Sequence, residues 1–181
     1  MPWKNGGGET IEIAVAPDNA SLETFDWRIS RALVRSDGPF SSFPGVDRTI
    51  VAIEGDGIFL RFDNTAPLRL SPGDPPLPFA GETNVEFRMI GGEVMDLNVM
   101  TRRGRFRHRL RTLEIDRPFE IAAPANGVTA IIATGGAVVW TSDIEIQLQR
   151  NDAILFDVTD GMITLGSEHS CRIFLIEIEA L

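Results

Sequence analysis

The chain has one cysteine, two histidines and no tyrosine among its 181 residues, and each scarcity narrows what the protein can be. A single cysteine cannot form an internal disulfide, so the sequence gives no sign of a disulfide-stabilised domain from an oxidising compartment. Cys171 stands just before the apolar run 173–176, which predicts a buried, unreactive thiol. A chain of this length can bury a sufficient core without a covalent link.

Basic residues and long apolar runs are also scarce. The chain carries 17 basic against 26 acidic residues, a net charge of -9, which repels phosphate backbones and anionic membranes. No segment approaches the roughly 18 to 20 apolar residues of a membrane span, and the first residues lack the pattern of a signal peptide. We expect a cytoplasmic protein, monomer or homodimer, with no nucleic-acid or membrane partner.

Short runs of alternating apolar residues dominate what is present. Ile11, Ile13 and Val15 form the first, and similar runs recur to residues 173–178, separated by Gly, Pro, Asn or Asp clusters. The windows 20–26 and 89–98 have some helical character but are too short or too glycine-flanked to sustain a helix. The sequence therefore predicts an all-β protein.

A faint internal repeat suggests the architecture. The segment 70–74 with Phe79 is echoed 78 residues later by 148–152 with Phe156, and a glycine hairpin near 55–57 is echoed near 135–136. This arrangement predicts a double cupin, that is, two small jelly-roll β-barrels packed as one compact unit. The halves would be 1–100 and 101–181, with the boundary between about 95 and 115. The alternative is a single β-sandwich whose turns merely resemble each other.

The residues for metal or nucleophilic chemistry are missing. Metal-binding cupins use two histidines at positions i and i+2 of one strand, whereas His108 and His169 are 61 residues apart. Five arginines between 102 and 109 surround His108 and would repel a divalent cation. Tyrosine, the proton donor of sugar epimerases with this fold, is absent. We expect no metal and no cofactor.

Polar recognition remains as the main chemistry. Strand alternation places Asp26, Arg28 and Ser30 on one face of one strand, and Asp96 and Asn98 on one face of another. The planar guanidinium of Arg28 suits a carboxylate. The alternative is that both faces point to solvent, as one face of many antiparallel sheets does.

Three further segments attract attention. The Gly/Pro-braced loop 38–48, with Phe40, Phe43, Asp47 and Arg48, is typical of a pocket wall, although its phenylalanines could instead cap the core while Asp47 and Arg48 are solvated. The arginine-rich run 102–109 could attract anions or simply balance nearby acids.

The first eight residues, with an aromatic ring and three glycines, are typical of a docked terminus; the alternative is a short segment without a structural role ahead of the first strand.

Together these segments resemble the HutD/Ves family of bicupin proteins over most of the chain. The resemblance rests on Pro2-Trp3-Lys4-Asn5-Gly6-Gly7-Gly8 with Thr10, Trp27-Arg28-Ile29-Ser30, Gly38-Pro39-Phe40-Ser41, Phe43-Pro44-Gly45-Val46-Asp47-Arg48, Phe79-Ala80-Gly81, and Asp96-Leu97-Asn98-Val99-Met100 with Arg102. It implies a double cupin without metal-binding histidines, encoded in many bacteria beside enzymes of histidine degradation. It also implies a pocket that draws on Lys4, Asn5, Arg28, Ser30, Phe43, Asp47, Arg48, Phe79, Asp96, Asn98 and Arg102.

Two functions fit these residues. The first is metal-independent binding of a small anionic metabolite that carries a carboxylate, for which the resemblance suggests a histidine-degradation intermediate such as formylglutamate and a regulatory role. Arg28, Arg48 and Lys4 would bind the anion, and Phe43 and Phe79 would shape the apolar wall. The alternative is a metal-free isomerase, lyase or hydrolase with Asp47 or Asp96 as general base. We expect a binding protein rather than an enzyme.

Overall fold

The computed structural model describes residues 1–3, 6–141, 144–167 and 169–181. Across those ranges the only helix is one 3-10 turn at Val158–Asp160, so the all-β prediction is confirmed. None of the described helical structure is long and apolar enough to cross a membrane. The chain divides into two compact units, Met1–Arg105 and Phe106–Leu181.

The first unit contains nine described strands in two antiparallel sheets. The strands are β1 Gly8–Ala16, β2 Trp27–Val34, β3 Gly38–Pro39, β4 Val46–Glu54, β5 Ile58–Phe62, β6 Leu68–Leu70, β7 Leu77–Ala80, β8 Val85–Met89 and β9 Val94–Arg102. Their order is β1-β2-β9-β4-β7 in a five-stranded sheet and β3-β8-β5-β6 in a four-stranded sheet.

The second unit repeats this plan with eight described strands. They are β10 Phe106–Ile115, β11 Phe119–Ala122, β12 Gly127–Ala133, β13 Ala137–Trp140, β14 Glu145–Leu148, β15 Ala153–Asp157, β16 Met162–Gly166 and β17 Cys171–Ala180. The sheet orders are β10-β17-β12-β15 and β11-β16-β13-β14. Apart from β1, these orders match those of the first unit strand for strand.

The predicted repeat is visible at atomic detail. The backbone N–H of Ser71 donates to Asp74 Oδ2 at 2.7 Å, and that of Gln149 donates to Asp152 Oδ2 at 2.9 Å. Both are side-chain-closed turns of the kind that aspartate forms readily. The prediction of two jelly rolls is confirmed and the single-sandwich alternative is wrong, although each jelly roll consists of two separate sheets rather than one closed barrel.

Each unit has its own apolar core between its two sheets. In the first, Ala32 and Ile50 of the five-stranded sheet belong to one buried cluster with Leu60 and Phe87 of the other sheet. We call the face of the five-stranded sheet that carries Ala32 and Ile50 its inner face. Its opposite face is buried as well, since Ile29, Leu97 and Val99 have no exposed surface. In the second unit the free Cys171 lies within the buried cluster, so its predicted burial is confirmed.

The start of the chain is docked, as its composition predicts. Trp3 donates from its indole N–H to Thr10 Oγ1 at 2.8 Å, and its ring packs against the core of the first unit. Gly8 has to be glycine because a Cβ atom there would lie 2.5 Å from the carbonyl oxygen of Leu33. Strand β1 therefore lies directly against β2, and Pro2 forms an antiparallel bridge with Glu9 of β1.

Candidate functional site

A group of buried polar side chains crosses the inner face of the five-stranded sheet. We call it the polar row, and its members are Arg28 and Ser30 on β2, Arg48 on β4, and Asp96 and Asn98 on β9. Because neighbouring strands alternate in step, residues that pair across strands face the same way. Arg28 and Arg48 pair with Met100 from opposite sides. At the usual strand spacing their backbones are about 10 Å apart.

The guanidinium of Arg48 lies in an aromatic cage. Its central carbon is 5.2 Å from the ring centre of Phe40, 5.3 Å from that of Phe43 and 4.8 Å from that of Phe79. Cation–π contacts of this kind are worth most when the cation is desolvated, as it is here. Burial lowers the pKa of Arg48 to about 10, so the group remains a cation at neutral pH.

Hydrogen bonds leave part of the Arg48 guanidinium unused. Nη1 donates to the carbonyl oxygen of Ser41 at 3.1 Å, and Nη2 donates to Asn98 Oδ1 at 2.9 Å. The Nε–H is buried and has no acceptor among the described residues. An unpaired buried N–H is unfavourable, and guanidinium N–H groups match the oxygens of carboxylates.

Asp96 lies next in this chain of hydrogen bonds. Asn98 donates from Nδ2 to Asp96 Oδ1 at 2.9 Å, so the amide bridges the carboxyl of Asp96 and the guanidinium of Arg48. Burial raises the pKa of Asp96 to about 7, against the opposing effects of the Asn98 hydrogen bond and the charge of Arg48. The carboxyl therefore changes its charge close to neutral pH.

Arg28 forms the other end of the polar row. Its Nε donates to Glu12 Oε2 at 2.7 Å, and its Nη1 donates to Ser30 Oγ at 3.2 Å. The pairing of β1 with β2 shifts register between Glu12 and Ala14, a bulge beside the Glu12–Arg28 contact. Within the described chain Nη2 of Arg28 is buried without an acceptor. Both arginines thus keep an unused N–H on the same face.

The structure gathers most of the predicted site residues but not all. Arg28, Ser30, Arg48, Asp96 and Asn98 form the polar row, and Phe43 and Phe79 contact Arg48. The burial of the five residues in the polar row rules out the alternative in which the polar faces of these strands point to solvent. Lys4 and Asn5 lie outside the described residues.

Asp47 and Arg102 are not part of the polar row. Asp47 precedes Arg48 on a strand and so faces the other way, where Arg103 donates to it at 2.7 Å. Arg102 donates to the carbonyl oxygens of Glu23 and Phe25 at 3.0 and 3.2 Å and lies over the Phe25 ring. Asp47 therefore forms an exposed ion pair, and Arg102 fixes the backbone just before β2.

The arginine-rich run 102–109 forms ion pairs with nearby acidic residues, which is one of the two interpretations that the sequence allows. Arg103 donates hydrogen bonds to the carboxylates of Glu82 and Asp47, and these bonds raise its pKa. Arg105 pairs with Asp26, and Arg107 pairs with Glu179. These pairs are largely exposed, so each adds little to stability.

Two contacts of the site were missed by sequence reasoning. Glu12, which pairs with Arg28, sits among the alternating residues of β1, and an acid in such a strand is the only signal that could have drawn attention to it. Phe40 lies in a segment that was singled out, yet nothing in the sequence distinguishes its role from that of Phe43.

Gly81 fixes the loop that supplies the aromatic cage. The backbone N–H of Phe43 donates to the Gly81 carbonyl at 2.8 Å, and the Gly81 N–H donates to the Val46 carbonyl at 2.7 Å. A Cβ atom at Gly81 would lie 2.5 Å from the carbonyl oxygen of Phe43. The loop must therefore move if any side chain is added here.

We expect Gly81→Ala to lower the free energy of unfolding by about 1 to 3 kcal/mol, because backbone rather than a flexible side chain must shift. Urea denaturation measures this directly. Gly92→Ala is the matched control, since a Cβ atom there has nothing within 4 Å. Equal stability of the two variants would contradict this account of the loop.

The residues in the described ranges contain no group of three His, Cys, Asp or Glu side chains that could hold a metal ion. The donors that the polar row does offer are N–H groups of two arginines and an amide, with one carboxyl. Such a set is suited to an organic anion.

Among its described residues, the second unit lacks an equivalent polar row. Strand order and register match Arg28, Met100, Arg48 and Phe79 with Arg109, Glu177, Thr129 and Phe156. By the same match, Asp96 and Asn98 correspond to Ile173 and Leu175 in the apolar core. Arg111, at the Ser30 position, is paired with Glu177 at 2.9 Å. The second unit thus has apolar residues in place of Asp96 and Asn98 and a threonine in place of Arg48, while its arginines at the Arg28 and Ser30 positions are not buried.

Fold and site together define a double jelly-roll protein of the cupin type. A cupin 2 conserved barrel domain protein from Leptotrichia buccalis has the same fold, with a TM-score of 0.65 at 10% identity over 95% of this chain and 89% of that one. The chain belongs to the HutD family, whose sequence profile matches residues 1–174.

Relatives within the family agree with this assignment. An uncharacterised 21.2 kDa protein in the hutC 3' region of Pseudomonas putida is 34% identical over 98% of this chain and 91% of its own length. Protein Ves of Cronobacter sakazakii is 33% identical, covering 99% and 89%. A solved structure of HutD from Pseudomonas fluorescens, in a formate condition, has a TM-score of 0.84 at 30% identity, covering 100% and 93%.

Proposed function

We propose that the protein binds a small carboxylate metabolite on the inner face of its first unit, between Arg28 and Arg48. The observation that carries this proposal is the pair of buried N–H groups, Nη2 of Arg28 and Nε of Arg48, that lack acceptors among the described residues. A carboxylate placed over Met100, between the two strands, would give each of them an oxygen. Phe43 and Phe79 add an apolar wall next to Arg48.

The charge of the site suits one carboxylate group of the ligand at the polar row, rather than a phosphate or two adjacent carboxylates. Arg28 is already paired with Glu12, and Arg48 is next to Asp96 through the Asn98 amide. With Asp96 ionised these four described charges cancel, and with Asp96 protonated they leave one positive charge. A charge-assisted hydrogen bond is worth roughly 1.5 to 3 kcal/mol, so two of them with good packing are consistent with micromolar binding.

A histidine-degradation intermediate such as formylglutamate is the ligand we favour, with a regulatory role through its sequestration. Membership of the HutD family supports this choice, as does the name of the Pseudomonas putida relative, which refers to the hutC region. The formamide group of formylglutamate would supply the neutral hydrogen-bonding atoms, an N–H and a carbonyl oxygen, that Ser30 and Asn98 can meet.

A thermal-shift screen tests the proposal. Histidine, urocanate, formiminoglutamate, formylglutamate and glutamate would be compared, and we expect the melting temperature to rise with formylglutamate. Arg28→Met should lose the rise. Calorimetry should count one ligand per chain, because the polar row lies in the first unit and the described part of the second unit has no equivalent. No rise with any of the acids, or an unchanged rise in Arg28→Met, would contradict the proposal.

A second candidate function is metal-free acid–base catalysis by Asp96. The observation in its favour is the raised pKa of Asp96, about 7, beside a cation that could hold a substrate. Asp47 does not fit this role, because it faces away from Arg48 and pairs with Arg103. This candidate requires turnover of one of the five acids that is abolished by Asp96→Asn.

A further inference from the structure

We propose that anion binding between Arg28 and Arg48 is coupled to the uptake of one proton by the carboxyl of Asp96. This inference rests on the proposed function and adds a pH control to it. It follows from the arrangement in which one amide, Asn98, joins Arg48 to Asp96. The carboxylate of the ligand and the carboxylate of Asp96 would then both interact with the positive charge of Arg48.

The surroundings of Asp96 leave few groups that could offset a second anion. Its cross-strand neighbours, Ala32 on β2 and Ala52 on β4, are uncharged. The four-stranded sheet contributes apolar side chains to this core, namely Ile58, Leu60, Leu70, Val85 and Phe87, and β7 adds Leu77 and Phe79. Alternation places four other described charged side chains on this face: Glu12 on β1, Arg28 on β2, Arg48 on β4 and Arg102 at the end of β9. Arg102 lies six residues along the strand from Asp96 and donates to the carbonyl oxygens of Glu23 and Phe25.

These surroundings set the direction of the effect. Asp96 is 1% exposed, and burial already raises its pKa to about 7 while the charge of Arg48 opposes that rise. A bound anion would partly neutralise the positive charge of Arg48, which stabilises the ionised form of Asp96, and would also repel the Asp96 carboxylate. The pKa of Asp96 would therefore rise further. By linkage, the same coupling makes anion binding weaker as Asp96 becomes ionised.

Calorimetry with formylglutamate as the probe tests the coupling, because this ligand has no group that titrates between about pH 6.5 and 9. Titrations near pH 7.5 in two buffers of different ionisation enthalpy give the number of protons taken up. We expect a substantial fraction of one proton for the wild type, and affinity about fivefold to tenfold lower near pH 8.5 than near pH 7.5. Asp96→Asn should show no uptake and a change below about twofold.

The outcomes separate the coupling from the proposed function. Wild-type binding without proton uptake, or equal uptake in Asp96→Asn, would overturn the coupling and leave the binding function intact. Absence of binding by the wild type would overturn both. Should Asp96→Asn fail to fold, carboxyl carbon shifts of labelled wild-type protein give the answer directly. The midpoint of Asp96 should then rise when formylglutamate is added, and an unchanged midpoint would refute the coupling.

Discussion

Replacing Arg48 by methionine should weaken binding of formylglutamate by about 10-fold to 150-fold, the loss expected for one charge-assisted contact of roughly 1.5 to 3 kcal/mol. Methionine keeps an unbranched side chain that can fill the aromatic cage and contact its rings. The variant removes one member of a buried polar group, so Asn98 Oδ1 loses its donor and Asp96 loses the nearby charge of Arg48. Such a change destabilises the folded protein, although Asp96 can take up a proton and so avoid an uncompensated charge. We therefore expect a lower unliganded melting temperature, and the affinities are compared at a temperature at which both proteins are folded.

Arg103→Met is the matched control for this experiment. Arg103 is also an arginine of the first unit with carboxylate partners, but it is 42% exposed and bonds Asp47 and Glu82 rather than the polar row. Its replacement should leave the ligand-induced rise in melting temperature unchanged. If Arg48→Met binds formylglutamate as tightly as Arg103→Met does, the anion is not held by Arg48.

Asp96→Asn should change how the free energy of unfolding depends on pH. The folded-state pKa of Asp96 is about 7, above its ordinary value of 3.8. Between these two pH values, Asp96 is therefore protonated in the folded protein and ionised in the unfolded chain. Below about pH 4 both states are protonated and Asp96 has no differential effect. As the pH rises through this window the wild type loses stability relative to the variant, and above about pH 7 the difference stays constant.

The size of this difference is on the order of a few kcal/mol, since each unit of pKa corresponds to about 1.4 kcal/mol. Urea denaturation of wild type and Asp96→Asn at intervals between about pH 4 and 8.5 measures it. Asp18→Asn serves as control, because Asp18 is exposed in the turn after β1. Parallel curves for wild type and Asp96→Asn would show that Asp96 titrates normally in the folded protein.

Strand alternation is the sequence pattern that predicts most about this site. It places Arg28 with Ser30, and Asp96 with Asn98, because a period of two fixes the face of each side chain within a strand. The same rule separates Asp47 from Arg48 once both lie on a strand, but the glycines and prolines of residues 38–48 predict a loop. Strand β4 in fact begins at Val46, so these two neighbours lie on opposite faces.

What the sequence could not supply is the pairing between distant strands. That Arg28 and Arg48 face each other across Met100 depends on the registers of β2 and β4 with β9, which no local pattern determines. The contact of Glu12 with Arg28 depends in the same way on the bulge in β1. Burial, and hence the raised pKa of Asp96, is a property of the packed core alone.

The apolar counterpart of the polar row has a practical consequence for measurement. Because Ile173, Leu175 and Thr129 stand where Asp96, Asn98 and Arg48 stand in the first half, every molecule contains a similar framework without the buried chain of hydrogen bonds from Arg48 to Asp96. In a heteronuclear NMR titration, amide signals from β10, β12 and β17 would serve as an internal blank. Perturbations of β2, β4 and β9 could then be read against a reference at the same concentration, temperature and pH.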